Sequence, residues 1–319
     1  MLKPEKVFFN LVARYFAGNS SLRETRGVTR KQLALTASGV GFNHAPSVVQ
    51  LKNNQSFIKA VEVLQSSEIS VDALCHANSI FLDGNPTDAI RRGESQVTSL
   101  SGDFYYKPPS PSYLIALLDE FIDDLSNINH FSLQDAIVYY SRLIKIHPFT
   151  DANGRVCRAL MCALLPAKEG LYVSALYRLH VEKSEYIIAS EPYSVSAKEY
   201  IDSEFWRAAE KWAVEVVQIA FAKINKTHSF LVNQFALSAN GADCIKVIEQ
   251  LWSSPIVYPP HLSRELSMPL TKIIAILQQL THHNILVARP MRNPAGAVVF
   301  ECPAIFNVFE EIDKYLLKK

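Results

Sequence analysis

Within the twelve residues His147 to Arg158, the chain gathers one titratable base, one carboxylate, a small-residue turn and two guanidiniums. A histidine exchanges its proton near neutral pH, so His147 can take one from an incoming hydroxyl. Asn153 and Gly154 fall where a new helix exposes unpaired N–H groups and the positive end of its dipole, and glycine lets phosphate oxygens approach the backbone. Arg155 and Arg158 are three residues apart on one helical face and can fork onto phosphate oxygens. Asp151 is a hard oxygen ligand of the kind that holds Mg²⁺, an ion that bridges phosphates and keeps most of its waters. Together these residue types describe a polyphosphate site with a base beside it.

The elements that must position them are helices. SLQDAIVYYSRLIKI, ending at Ile146, is a long apolar pattern with Ser132 as its N-cap, and Pro148 pushes His147 out of the α region and closes it. NGRVCRALMCALL then opens a second helix that is almost free of polar residues after Arg158, which predicts a buried central element. Earlier stripes, Phe57, Val61, Val63 and Leu64, then Leu114, Leu117, Leu118, Phe121 and Ile122, recur at helical spacing. The exception is QVTSLSGDFYYKPPSP (96–111), where β-formers flank Ser101-Gly102-Asp103; it predicts a short β-hairpin leading into a helix at about Ser112. LSANGAD (237–243) has linker composition. Beyond it, three helical patterns, two strand patterns (ILVARPM and AVVFEC) and a last amphipathic helix from Ile305 to Leu317 have the order of a winged helix. The expected fold is mostly α, with domains at 1–84, 85–236 and 237–319.

The twelve-residue segment resembles the signature of the Fic (filamentation induced by cAMP) family, H-x-F-x-[DE]-[GA]-N-[GK]-R-x-x-R, and meets every specified position. The resemblance extends over roughly 85–225, where YYKPPSP looks like the family's flap hairpin and YSRLIKIHPF like its pre-motif helix. Tyr140 departs from the pattern, since many members carry His there. The resemblance implies a Fic helical core and transfer of AMP from ATP to a Ser, Thr or Tyr hydroxyl of a target protein. It implies His147 as general base, Asp151 as Mg²⁺ ligand, and Asn153 with Gly154 as the α/β-phosphate anion hole, in a nucleotide-binding loop that includes Ala152. Arg155 would contact the β- and γ-phosphates, Arg158 the γ-phosphate, and Phe149 would anchor the loop. The hairpin residues Gln96, Val97, Thr98, Tyr105 and Tyr106 would clamp the nucleotide and pair with the target by strand addition. Tyr186 would stack on adenine; read alone, it is a packed aromatic.

The family's inhibitory helix carries [ST]-x-x-x-E-[GN], and Ser20 and Glu24 stand at that spacing, although Thr25 occupies the final position. The resemblance therefore implies an N-terminally autoinhibited protein. A Glu24 carboxylate on Arg158 would remove a γ-phosphate donor and add like charge against ATP, and it could also position a water for removal of AMP.

Composition limits the alternatives. The 319 residues carry 32 Lys and Arg against 31 Asp and Glu, so no global field selects nucleic acid or an anionic membrane. Apolar residues make up 49%, with 11 Gly and 16 Pro, which excludes collagen-like and disordered classes. The five cysteines are odd in number and form no CxxC pair, so they read as reduced, mostly buried thiols, with Cys157 and Cys162 in the core. No apolar run approaches about 18 residues, and the expected location is the cytoplasm, with no membrane partner. Over 241–319, eight basic residues face seven acidic ones, and the expected recognition helix carries only Lys272 plus His282 and His283. Protein contact or homodimerisation is therefore preferred to DNA binding. Two rivals stay open: a Fic-type phosphotransferase or other nucleotidyl transfer, and a nucleotide-sensing winged-helix DNA-binding regulator.

Overall fold

A computed structural model of the chain describes residues 2–17, 28–42, 44–66, 68–98, 104–165, 170–174, 204–236, 238, 240–292 and 296–316. Among the described residues it is 69% helical, with twelve helices and a small three-stranded antiparallel sheet, in agreement with the mostly α expectation. Two compact units are distinguishable. One comprises 12–23 and 53–217, the other 1–11, 24–52 and 218–318.

The first unit holds the twelve-residue segment. Helix α1 (Pro4–Phe16) brings its last turn to this unit, where Phe16 stacks on Phe57 of α3 (Ala45–Ser66) at 5.7 Å between centroids. Helix α4 (Val71–Leu82) starts at Ser70, whose hydroxyl accepts from the Ala73 N–H, as an N-cap should. The hairpin follows: β1 (Val97–Thr98) pairs antiparallel with β2 (Phe104–Tyr106), Val97 opposite Tyr106, with an irregular register; its tip lies outside the described residues. Pro111–Tyr113 forms one 3₁₀ turn before α5 (Leu114–Ser126), close to the helix start read at Ser112.

Helix α6 (Leu133–Ile146) opens with a capping box in which Ser132 and Asp135 each bond the other's backbone N–H. Helix α7 (Asn153–Leu164) is the central element expected, because Val156, Cys157, Ala159 and Leu160 are fully buried beside Leu143 and Ile144 of α6. Such enclosure leaves the helix no room to move without opening the core. The chain after α7 turns at Gly170 in the left-handed region (φ 63°), where a Cβ would stand 2.2 Å from Val217. Only glycine fits there.

The second unit includes α2 (Arg30–Ala37) and the C-terminal elements. After α8 (Glu204–Asn233) come α9 (Gly241–Leu251), β3 (Ile256–Val257), α10 (Pro259–Glu265), α11 (Leu270–His282), β4 (Val287–Pro290), β5 (Val298–Glu301) and α12 (Pro303–Leu316). The two expected strands form an antiparallel pair, and β3, which the sequence reading did not anticipate, completes a sheet of order β3-β5-β4. Residues 24–52 group with this unit. Ala34 and Val40 are buried against Ile256, Val299 and Phe306, and Arg30 forks onto Asp313 at 2.5 and 2.6 Å.

All five cysteines are buried, and none forms a disulfide. Among the described residues no helix is long and apolar enough to cross a membrane.

Candidate active site

His147 stands at the C-cap of α6 in the left-handed conformation (φ 49°, ψ 56°), and its N–H closes the helix on the Leu143 carbonyl at 3.0 Å. A non-glycine residue pays for that backbone, and the neighbours hold it. Arg91, itself buried, donates from Nε to the His147 carbonyl at 2.8 Å, from Nη1 to Gly93 at 2.9 Å, and from Nη2 to Pro109. The Arg91 N–H also reaches the Pro148 carbonyl at 2.9 Å, and Ile90 bridges Phe149. One arginine thus ties both ends of the hairpin segment to the loop carrying His147.

The loop between α6 and α7 is fixed from inside. Phe149 is 1% exposed. The Asn153 side chain accepts from the Phe149 N–H at 3.0 Å and donates to the Phe149 carbonyl at 2.8 Å. Both of its polar groups are therefore spent on the loop, and what Asn153 and Gly154 can offer an anion is their backbone at the α7 N-terminus. Ala152 is the N-cap in the left-handed region (φ 66°), its N–H donated to the Asp151 carboxylate. Asn78, buried on α4, donates to the Asp151 carbonyl at 2.8 Å.

The charged groups divide sharply by burial. The Asp151 side chain is 70% exposed and faces Arg155 Nη2 at 3.4 Å. Arg155 is 8% exposed and its guanidinium lies 5.4 Å from the Phe81 ring centroid. Burial pulls its pKa down, Asp151 opposes this, and the group stays charged at neutral pH. Arg158 is 3% exposed and donates from Nε to the Phe16 carbonyl at 2.7 Å. Burial lowers the His147 pKa to about 4; the Ile144 carbonyl and Asp151 oppose the shift, and Arg91 adds to it. His147 is thus a neutral base at physiological pH.

Of the residues named from the sequence, His147, Phe149, Asp151, Ala152, Asn153, Gly154, Arg155 and Arg158 lie on one loop and the first turns of one helix. From the hairpin, Val97 is buried, Gln96 is exposed, and Tyr106 brings its hydroxyl to 3.1 Å from His147 Nδ1. The side chains of Thr98 and Tyr105, and the residues Ser20, Glu24 and Tyr186, lie outside what the structure describes. Tyr140, which departs from the family pattern ahead of the signature, is buried on α6. Arg91 and Asn78 are positioning residues that the sequence reading missed. Asn78 left a trace, a polar residue on an apolar face of α4, whereas Arg91 in Arg91-Arg92-Gly93 reads as a solvated loop.

Residues 68–165 match the Fic/DOC family. The chain is 28% identical over 154 residues to Protein adenylyltransferase Fic of Nematostella vectensis, which is 46% of this chain and 34% of that protein. It is 32% identical over 101 residues to Protein adenylyltransferase fic-1 of Caenorhabditis elegans, 30% of this chain and 19% of that one. The chain thus spans about a third or less of the length of these relatives. A crystal structure of a Fic family protein from Desulfovibrio desulfuricans superposes with a TM-score of 0.50 at 16% identity, covering 94% of this chain and 88% of that one. The match to the Fic/DOC family thus covers residues 68–165, the stretch that holds the complete signature and its loop.

Proposed function

We propose that this protein is an adenylyltransferase that moves AMP from ATP to a side-chain hydroxyl of a target protein. The observation that carries this reading is the convergence of a neutral histidine, an exposed carboxylate and an arginine-bearing helix N-terminus on a loop locked by Phe149 and Asn153. ATP phosphates would lie over the start of α7, with its free N–H groups and Arg155 as donors. The target hydroxyl oxygen attacks the α-phosphorus as its proton passes to the His147 ring; the bond to the bridging oxygen breaks and pyrophosphate leaves.

Asp151 fits Mg²⁺. Its carboxylate is exposed, pinned by the Ala152 N–H, and is a single hard ligand, which suffices where phosphates and waters supply the remainder. The ion would neutralise charge on the phosphates. Target backbone is proposed to pair along the β1–β2 hairpin, and Tyr186 to meet the adenine.

A brake is part of the same reading. Arg158 donates to the last residue of α1, and Ser20 and Glu24 follow that helix in sequence; the Glu24 carboxylate is proposed to pair with this guanidinium. Bound there, it would deny Arg158 to the γ-phosphate; the same carboxylate could support removal of AMP. The C-terminal elements α9 to β5 are read as a winged helix used for protein contact or dimerisation in a cytoplasmic enzyme, with the domains at 1–84, 85–236 and 237–319. Against DNA, Lys272 is paired with Asp243 at 2.6 Å and the neighbouring Leu270 and Ile274 are exposed.

The test compares wild type, Glu24→Gly and Glu24→Gly/His147→Ala with Mg²⁺, ATP and a cell lysate. Glu24→Gly should raise protein-bound AMP well above wild type, and the double variant should abolish it. Equal transfer by wild type and Glu24→Gly would remove Glu24 from the mechanism, and transfer surviving His147→Ala would remove the base.

A further inference from the structure

The Tyr106 hydroxyl lies 2.5 Å from the Ile144 carbonyl oxygen and 3.1 Å from His147 Nδ1, and that Nδ1 is itself 3.4 Å from the same carbonyl. A carbonyl only accepts, so the single hydroxyl proton of Tyr106 points to Ile144. Tyr106 then offers His147 nothing but a lone pair. Both polar neighbours of Nδ1 are acceptors, and the proton between them must belong to the imidazole. In a neutral ring this leaves Nε2 bare. The two rings meet edge to face, 6.2 Å between centroids and 81° between planes, so packing as well as bonding resists rotation of the imidazole. The backbone beneath is gripped by Arg91 at the His147 carbonyl.

We propose that Tyr106 of β2 is a positioning residue that holds His147 in the Nδ1–H tautomer and so presents Nε2 as the atom that receives the proton. The inference rests on the reading of His147 as base. When the target hydroxyl attacks, its proton forms the new N–H bond at Nε2, while Nδ1–H remains donated to the Tyr106 oxygen and stabilises the imidazolium. In other triads a carboxylate orients the histidine; here a hairpin phenol and a helix-end carbonyl take that role. A free imidazole in water favours the opposite tautomer, so loss of the phenol oxygen should let the ring revert.

The experiment uses the full chain labelled with ¹⁵N-histidine. The signals of His147 are identified by their loss in His147→Asn, and Tyr106→Phe keeps the ring while deleting the oxygen. At neutral pH wild type should show a protonated Nδ1 and a bare Nε2, and Tyr106→Phe should gain the Nε2–H form. In the Glu24→Gly background, Tyr106→Phe should lower kcat for AMP transfer by at least about tenfold, with KM for ATP changed by less than about twofold. A wild-type ring protonated at Nε2 overturns the proposal, as does a Tyr106→Phe protein with unchanged tautomer or unchanged kcat. If the tautomers behave as stated but no variant transfers AMP, the positioning role stands and the adenylyltransferase reading fails.

Discussion

His147 shows how far burial can retune a common residue. Its pKa falls from 6.5 to about 4, chiefly because the enclosed site disfavours the imidazolium. Two pH effects follow. Between about pH 6.5 and 4 the unfolded chain binds more protons at this residue than the folded one, so stability is present above that window and is lost as the pH falls through it. The acid limb of kcat/KM for AMP transfer, which reports the free enzyme, should lie well below pH 6.5, and the limb of kcat should lie higher, because bound phosphates favour the imidazolium. A kcat/KM limb at or above 6.5 would show that the ring is solvated rather than enclosed. At this scale the sequence revealed identities better than partners. The motif named His147, Asp151, Arg155 and Arg158, but its spacing could not show that Asn153 turns inward onto Phe149, or that Tyr106 reaches His147 across 41 residues.

Elements were legible where a local rule decides them. The Ser132 cap, the stop at His147-Pro148, the buried α7 and the hairpin over 97–106 all follow from nearby residues. Strand β3 was not, because Ile256 and Val257 are too few to show a period and become a strand only by pairing with β5. The placement of Arg91 was equally hidden, since its partners are backbone carbonyls, which every residue has. That arginine should matter more than its loop position suggests. Arg91→Met removes charged hydrogen bonds to His147, Gly93 and Pro109 and leaves those carbonyls to find new donors. We expect about 2–4 kcal/mol lower stability by urea titration, and AMP transfer reduced further than the unfolded fraction explains, because the loop under His147 loosens. Unchanged stability and transfer would show that the three carbonyls are satisfied without it.

At the scale of the whole molecule, the chain is nearly neutral, at +1, and that balance holds again over 241–319. The pairing of Lys272 with Asp243 and the exposure of Leu270 and Ile274 turn the face of α11 further from phosphate. A mobility shift on duplex DNA should therefore be absent at physiological salt; a shift that weakens steeply with added salt would restore the regulator reading. The grouping of residues 24–52 with 218–318 was beyond the sequence, because Ala34 and Val40 meet Ile256 and Val299 only through contacts more than two hundred residues apart. The measurement that tests the central claim most directly is incubation of Glu24→Gly with Mg²⁺, a cell lysate and ATP labelled at either the α- or the γ-phosphate. The account predicts protein-bound α-label, no γ-label, and loss of the α-label in Glu24→Gly/His147→Ala. Transfer of γ-label would mean a phosphotransferase with the nucleotide reversed, and transfer of neither would contradict ATP as the donor.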